Sequence, residues 1–292
     1  LYFRQEPAGL SVGPDRWPDR RSDNASNVWR VPPLRSLHAA SWHRNLLWRA
    51  PSVRAIVLAA GRGERMRPLT DATPKPLLAV HGKPLIEWHL EGLARDGVRD
   101  VVVNTAWLED RIVETLGDGS RFGLTIHYSC EGRDHGGALE TAGGIATALP
   151  LLRGMAGQLD SDCFWVVSGD IHVPGFRFDA EVGRRFAAGH HDAHLWLVPN
   201  PVYHPNGDFG LSADGHALAD GPGPDGLRWT YANIALCRAA LFREVAPGTR
   251  AALGPLLYAA MREHRITAEV YPGAWENVGT PAQLAALNAD TA

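Results

Sequence analysis

The residues best suited to chemistry lie between positions 55 and 77. The apolar run Ala55-Ile56-Val57-Leu58 ends in Ala59-Ala60-Gly61-Arg62-Gly63, with two glycines one residue apart. Without a Cβ, the backbone N–H groups of such a loop come close to an anion. Arg62, Arg65 and Arg67 follow, and Lys75 stands between Pro74 and Pro76. A buried strand, a glycine turn and a stiffened cation together point to a polyphosphate. A second apolar run, Cys163 to Val167, ends in Ser168-Gly169-Asp170. One or two carboxylates, with water and phosphate oxygens, are what Mg²⁺ prefers. His190, His191 and His194, with Asp192 among them, suggest another cation site. Adjacent side chains on an extended chain face opposite ways, so the expectation there is a solvated loop.

These residues need a frame. Apolar runs at 55–58, 101–104 and 163–167 alternate with helix-like segments at 84–97, 108–116 and 143–152. Leu124 to Tyr128 alternates like a half-buried strand. This β-α-β-α order predicts a Rossmann-like α/β fold, a mostly parallel sheet flanked by helices. Ligands in such sheets bind beyond the carboxyl ends of the strands, where the glycine loop, Asn104 and Asp170 all fall. Turn-rich sequence around 206–210 and 220–226, with strands at 193–198, 228–236 and 268–271, predicts a small β-rich layer over the same domain. Helices are expected at 239–245, 254–263 and 281–289. The domain spans 53–292. Residues 1–52, rich in Arg, Pro, Ser and Trp without a helix or strand period, read as a disordered or non-native extension.

Composition narrows the class. The chain has 292 residues, 45% hydrophobic and 21% charged, with a formal net charge of -3. That is globular, and it gives no global field for nucleic acid. No apolar stretch is long enough to span a bilayer, and no signal-peptide order is present, so a cytoplasmic location is expected. Cys130, Cys163 and Cys237 are three widely spaced thiols, which fits neither a disulfide framework nor a zinc pattern. There is no G-x-x-x-x-G-K-[ST] loop. The Gly61-x-Gly63 pair lacks the third glycine of the dinucleotide fingerprint, since Met66 stands in its place.

The stretch from Ala59 to Thr70, with Pro74-Lys75-Pro76, resembles the signature of the sugar-1-phosphate nucleotidyltransferases, A-A-G-x-G-x-R-[ML]-x-P-L-T followed by P-K-P. Pro84-Leu85-Ile86, Gly169-Asp170 and Trp275 to Thr280 match later landmarks, so the resemblance covers about residues 54–290. It implies a GT-A-like sheet and Mg²⁺-dependent transfer of a nucleotidyl group to a sugar 1-phosphate, with release of pyrophosphate. Asn104 to Leu108, Leu116 to Gly123, Leu139 to Ile145 and Gly207-Asp208-Phe209 are most similar to the branch using UTP and N-acetylmuramate 1-phosphate in cell-wall recycling. Another sugar- or choline-phosphate is the close alternative. A non-catalytic sensing subunit on the same fold is the alternative of another class. The oligomeric state is not legible.

Residue by residue, the resemblance implies catalytic roles for Lys75, Arg65 and Asp170. Nucleotide contacts are expected from Ala59, Ala60, Gly61, Gly63, Glu64, Arg65, Lys75, Asn104, Glu140, Gly144 and Ser168. Glu140 reads equally as a solvated charge at a helix start. Sugar contacts are expected from Asp208, Asn233 and Glu276, with Asp208 also readable as a turn aspartate beside Gly207. Metal ligands are expected at Asp170 and Asn277. Here the chain departs from the family, which has Asp in W-x-D-x-G-T where this sequence has Asn277. An amide oxygen is a neutral, weaker ligand, so weaker Mg²⁺ binding is expected. Glu276 next door points the other way on a strand. Asn200-Pro201 stands where other branches carry Glu-Lys-Pro, which leaves open the cation that holds the sugar phosphate.

Overall fold

The structure is a computed structural model and describes residues 54–153 and 162–289. The expected extension, 1–52, lies outside the described residues. Among those described, the strands β1 (Arg54–Leu58), β2 (Asp100–Thr105), β3 (Thr125–Cys130), β4 (Cys163–Ser168), β5 (Ala193–Val198), β6 (Thr230–Arg238) and β7 (Ile266–Val270) form one sheet. Its order is β7-β5-β6-β4-β1-β2-β3. All neighbours are parallel except β6, which runs antiparallel to both β4 and β5. The helices are α1 (Leu85–Arg95), α2 (Glu109–Leu116), α3 (Glu140–Arg153), α4 (Ala180–Ala188), α5 (Leu253–Arg262) and α6 (Pro281–Ala289).

The central strands are apolar throughout because both faces are covered. Ala55, Val57, Val101, Val103, Trp165 and Val167 pack with Ile86, Leu90 and Leu93 of α1 and Ile112 and Leu116 of α2. Their neighbours Ile56, Val102, Phe164 and Val166 face the other way, against Ile145 and Leu149 of α3 and Leu257 and Met261 of α5. The period of two along each strand therefore builds two apolar cores. Register decides what meets at the rim. Leu58 lies opposite Asn104 on one side and Ser168 on the other, so the ends of β1, β2 and β4 are level.

The structure differs from the sequence reading in four places. Strands β5, β6 and β7 belong to the main sheet and not to a separate layer. Residues such as Leu195, Leu197 and Leu236 are fully buried and need cover that a surface layer lacks. Three short ribbons among the described residues stand apart from the main sheet: Ala79–Val80 with Lys83–Pro84, Ile171–His172 with Glu276–Asn277, and Gly210–Leu211 with Ala217–Leu218. The helix expected at 239–245 is a single 3₁₀ turn, Ala239–Phe242. The helix expected from 143 begins at Glu140. Helix α4 is absent from the sequence reading, although Asp179 caps it by accepting from the Glu181 N–H at 2.7 Å.

Candidate active site

The glycine loop leaves β1 and turns at Gly63, where φ is 66°. Met66, fully buried, anchors the turn that follows. Thr70 donates to the Gly63 carbonyl at 2.9 Å and holds the loop shut from behind. Of the three arginines read as phosphate cations, two are engaged elsewhere. Arg62 and Arg67 both pair with Asp71, at 2.8 and 2.9 Å, and these charges hold its carboxyl below the usual range, the Arg62 hydrogen bond most of all. Arg62 also lies over the Trp107 ring, 3.8 Å from its centre. Arg65 has no ion-pair partner among the described residues and lines a cavity of about 520 Å³. Alternate positions along a short turn point different ways, which the sequence pattern did not resolve.

Lys75 sits in a 3₁₀ turn after Pro74, 8% exposed, and its Nζ donates to Asp170 Oδ2 at 2.6 Å. Asp170 reaches it because β4 ends against the glycine loop. The Gly169 N–H donates to the Leu58 carbonyl at 2.8 Å, and a Cβ on Gly169 would stand 2.9 Å from that oxygen. Lys75 and Asp170 line a smaller cavity of about 180 Å³ with Ala59, Ala60, Gly61, Asn104, Glu140 and Ser168. Leu58, Thr141 and Ser168 are common to both cavities, which therefore share a wall.

The larger cavity collects Arg65, Asp208, Asn233 and Asn277. It is shaped by an irregularity in β6. Tyr231 pairs with Leu197 and Ala235 with Leu195, so three residues of β6 oppose Trp196 alone. Asn233 has φ 60° within this bulge, and its side chain lines the cavity. Side chains take the ladder groups that the bulge frees. Asp208 Oδ2 accepts the Tyr231 N–H at 2.8 Å, and Trp275 Nε1–H donates to the Ala232 carbonyl at 2.9 Å. Asp208 Oδ1 is 3.0 Å from His204 Nε2. Asp208 is thus a structural bridge and a cavity residue at once.

Asn277 is brought beside Asp170 by backbone pairing. Asn277 pairs with Ile171, and the Val278 N–H donates to the Asp170 carbonyl at 3.0 Å. The Asn277 amide oxygen is buried and has no hydrogen-bond partner. An orphaned buried acceptor costs about 1–3 kcal/mol unless something satisfies it. His89 lies behind Asp170 and donates from Nε2 to the Ile171 carbonyl at 2.9 Å. Burial pushes its pKa down to about 4.

Some expected residues lie outside both cavities. Gly63 is covered by Thr70 and Lys75. Glu64 is exposed and 3.8 Å from Arg62. Gly144 is buried against Glu131 and Asn104. Glu276 accepts from the Tyr203 hydroxyl at 3.2 Å, opposite in facing to Asn277, and burial raises its carboxyl pKa. Glu140, which does line the smaller cavity, is exposed and pairs with Arg250 at 2.8 Å. Of the histidines, His190 stacks on His191, with ring centres 4.5 Å apart, while His194 turns to Thr267 at 2.9 Å, so the three do not converge. The sequence reading missed Glu131, Tyr203 and His204, and it gave Trp275 no site role although it stands in a quoted landmark. The aromatic pair follows Asn200-Pro201, the very place where a cation was sought, and Glu131 carries no motif.

The nucleotidyl transferase family profile matches residues 54–213. The N-acetylmuramate alpha-1-phosphate uridylyltransferase of Neisseria meningitidis serogroup B is 45% identical over 80% of this chain and 95% of its own length. The Caulobacter vibrioides protein of the same name is 33% identical over 81% of this chain and 96% of its own length. A solved structure described as a putative glucose-1-phosphate thymidylyltransferase from Bacillus anthracis superposes with TM-score 0.63 at 21% identity, over 81% of this chain and 94% of that one. At that identity the likeness is one of fold.

Proposed function

Because the chain belongs to the nucleotidyl transferase family and is a sugar-1-phosphate nucleotidyltransferase, we propose that it joins UTP to N-acetylmuramate 1-phosphate, releasing pyrophosphate, in the cytoplasmic recycling of peptidoglycan. The observation that carries the reading is the pair of adjoining cavities. One holds the glycine loop, Lys75 and Asp170, and the other holds Arg65, Asp208 and Asn233. Two anions have to meet at the shared wall. The Neisseria meningitidis and Caulobacter vibrioides relatives, each covered nearly end to end, support the choice of substrates.

In this reading the triphosphate lies along the Ala59–Gly61 backbone. A phosphate oxygen of the sugar 1-phosphate attacks the α-phosphorus. The new P–O bond forms as the α–β bridging P–O bond breaks, and its electron pair leaves with pyrophosphate. Such a transfer depends on positioning and charge stabilisation, with little covalent work by the protein. Lys75 exchanges its contact with Asp170 for the charge growing at the α-phosphate. Arg65, unpaired, supplies the cation on the sugar side. Asp208 and Asn233 meet sugar hydroxyl or amide groups.

Asp170 and Asn277 fit a magnesium ion. The site offers a carboxylate and an unsatisfied buried amide oxygen, both hard oxygen donors. When bound, Mg²⁺ would neutralise phosphate charge between these two residues. Three-ligand His/Cys/Asp/Glu clusters are absent among the described residues, so the rest of the shell falls to water and phosphate.

The test is pyrophosphate release with the four triphosphates against a panel of sugar 1-phosphates and choline phosphate. The expected outcome is highest kcat/KM for UTP with N-acetylmuramate 1-phosphate. A preference for another pair overturns the substrate assignment. Tight nucleotide binding without turnover by any pair replaces it with the sensing reading.

A further inference from the structure

Glu131 is 1% exposed, just beyond the end of β3, and has no ion-pair partner among the described residues. An unpaired buried carboxylate is costly, and burial raises its pKa. The structure repays it with hydrogen bonds alone. Oε1 accepts from Asn104 Nδ2–H at 2.6 Å, and Oε2 accepts from the Leu139 N–H at 2.7 Å. Asn104, 3% exposed, uses its Oδ1 to accept the Ala59 N–H at 2.8 Å. The chain thus runs from the first residue of the glycine loop, through the end of β2, to the residue just before α3.

We infer that Glu131 is a positioning residue for the nucleotide half of the site, holding the glycine loop and the Leu139–Glu140 lip at a fixed separation through Asn104. This rests on the reading that the smaller cavity takes the triphosphate. Hydrogen-bond polarity makes the carboxylate specific. The two ends of the chain, Ala59 N–H and Leu139 N–H, are both donors. Between them the groups must include one amide and one group that accepts on both arms. A glutamine at 131 fails in either orientation. With its oxygen toward Asn104, its NH₂ meets the Leu139 N–H. With its oxygen toward Leu139, it forces Asn104 to turn its own NH₂ onto the Ala59 N–H. The site also leaves no room for slack. A Cβ on Gly144 would stand 2.4 Å from Glu131 Oε1 and 2.8 Å from Asn104 Nδ2. This accounts for a glycine inside the first turns of α3, where it lowers helix propensity.

The same logic provides the test. In Asn104→Asp two carboxylates face each other. In the double variant Asn104→Asp/Glu131→Gln the polarity is restored with the charge moved. The carboxylate introduced at position 104 accepts from the Ala59 N–H and from the amide NH₂ introduced at position 131, whose oxygen accepts from the Leu139 N–H. Binding of UTP by calorimetry, KM for UTP and KM for the sugar phosphate are measured on the parent, Asn104→Asp, Glu131→Gln and the double variant, with Tm for each. Each single change weakens UTP binding by about ten- to hundredfold, the equivalent of one unmatched buried hydrogen-bonding group. KM for the sugar phosphate stays within about twofold, and the double variant, although it keeps a carboxylate at a cavity-lining position, binds UTP at least about tenfold more tightly than the product of the two single losses predicts. A double variant as weak as the product of the singles overturns the inference. So does an equal rise in both KM values, or a fall in Tm with UTP binding unchanged. If the parent binds a different triphosphate most tightly, the cycle is run with that one. Absence of turnover by the parent counts against the proposed reaction, and the binding cycle alone decides the role of Glu131.

Discussion

Replacing Lys75 by alanine separates what its ion pair does for folding from what its charge does for reaction. The Lys75 side chain is 10% exposed and that of Asp170 31%, at a separation of 2.6 Å. The pair lies between a surface bridge, worth under about 1 kcal/mol, and a fully buried one, whose breakage costs about 3–5 kcal/mol. A loss near 1–2 kcal/mol follows, because Asp170 keeps access to water. For a folded unit of this size each kcal/mol moves Tm by about 2–4 °C, so a fall of roughly 2–8 °C is expected. The variant remains folded at assay temperature. Catalysis suffers more. Removing one preorganised donor from a developing charge costs about 10²–10³ in kcat. The assay is steady-state pyrophosphate release with both substrates varied, beside a thermal melt. The expected signature is a kcat lower by about 10²–10³ in a protein that still melts cooperatively. Activity within a few-fold of the parent would refute the role of Lys75 and, with it, the placing of the α-phosphate.

Asn277→Asp adds the carboxylate that the family motif carries, beside Asp170, at a position whose amide oxygen now lacks a partner. The Mg²⁺ concentration for half-maximal activity is expected to fall roughly tenfold, since ligand charge count tunes affinity for hard cations. An unchanged Mg²⁺ curve would place residue 277 outside the metal shell. His89 makes stability pH-dependent in a defined direction. Its pKa is held at about 4 in the folded chain, against 6.5 when unfolded. The unfolded chain therefore takes up the proton first, and stability falls as pH drops from about 6.5 to about 4. At about 1.36 kcal/mol per unit the whole span is worth about 3 kcal/mol. Denaturant melts of His89→Gln between about pH 7 and pH 4.5 should show a shallower loss than the parent. Equal slopes would remove His89 as the cause.

Where information was local, the sequence was sufficient. The glycine turn after Leu58, Lys75 between prolines and Asp170 at a strand end depend on neighbours along the chain, and an apolar run followed by small residues announces a strand and its rim. The alternation of strands and helices likewise implied a sheet covered on both faces. Tertiary structure decided what required distant partners. Asp71 claims two of the three arginines and leaves Arg65 to face the larger cavity. Strands β5 to β7 join the central sheet because their side chains need cover that only α5 and the opposite face supply. Asn277 is far from Asp170 in sequence, and only the pairing of two short strands sets it there with an unsatisfied oxygen. Gly144 was expected among the nucleotide contacts, and packing adds a reason for a glycine there, since a Cβ would stand 2.4 Å from Glu131 Oε1 and 2.8 Å from Asn104 Nδ2. Residue type and spacing determine which chemistry is available. Which of those groups remain free to perform it depends on hydrogen bonds and ion pairs that form only when remote segments pack together.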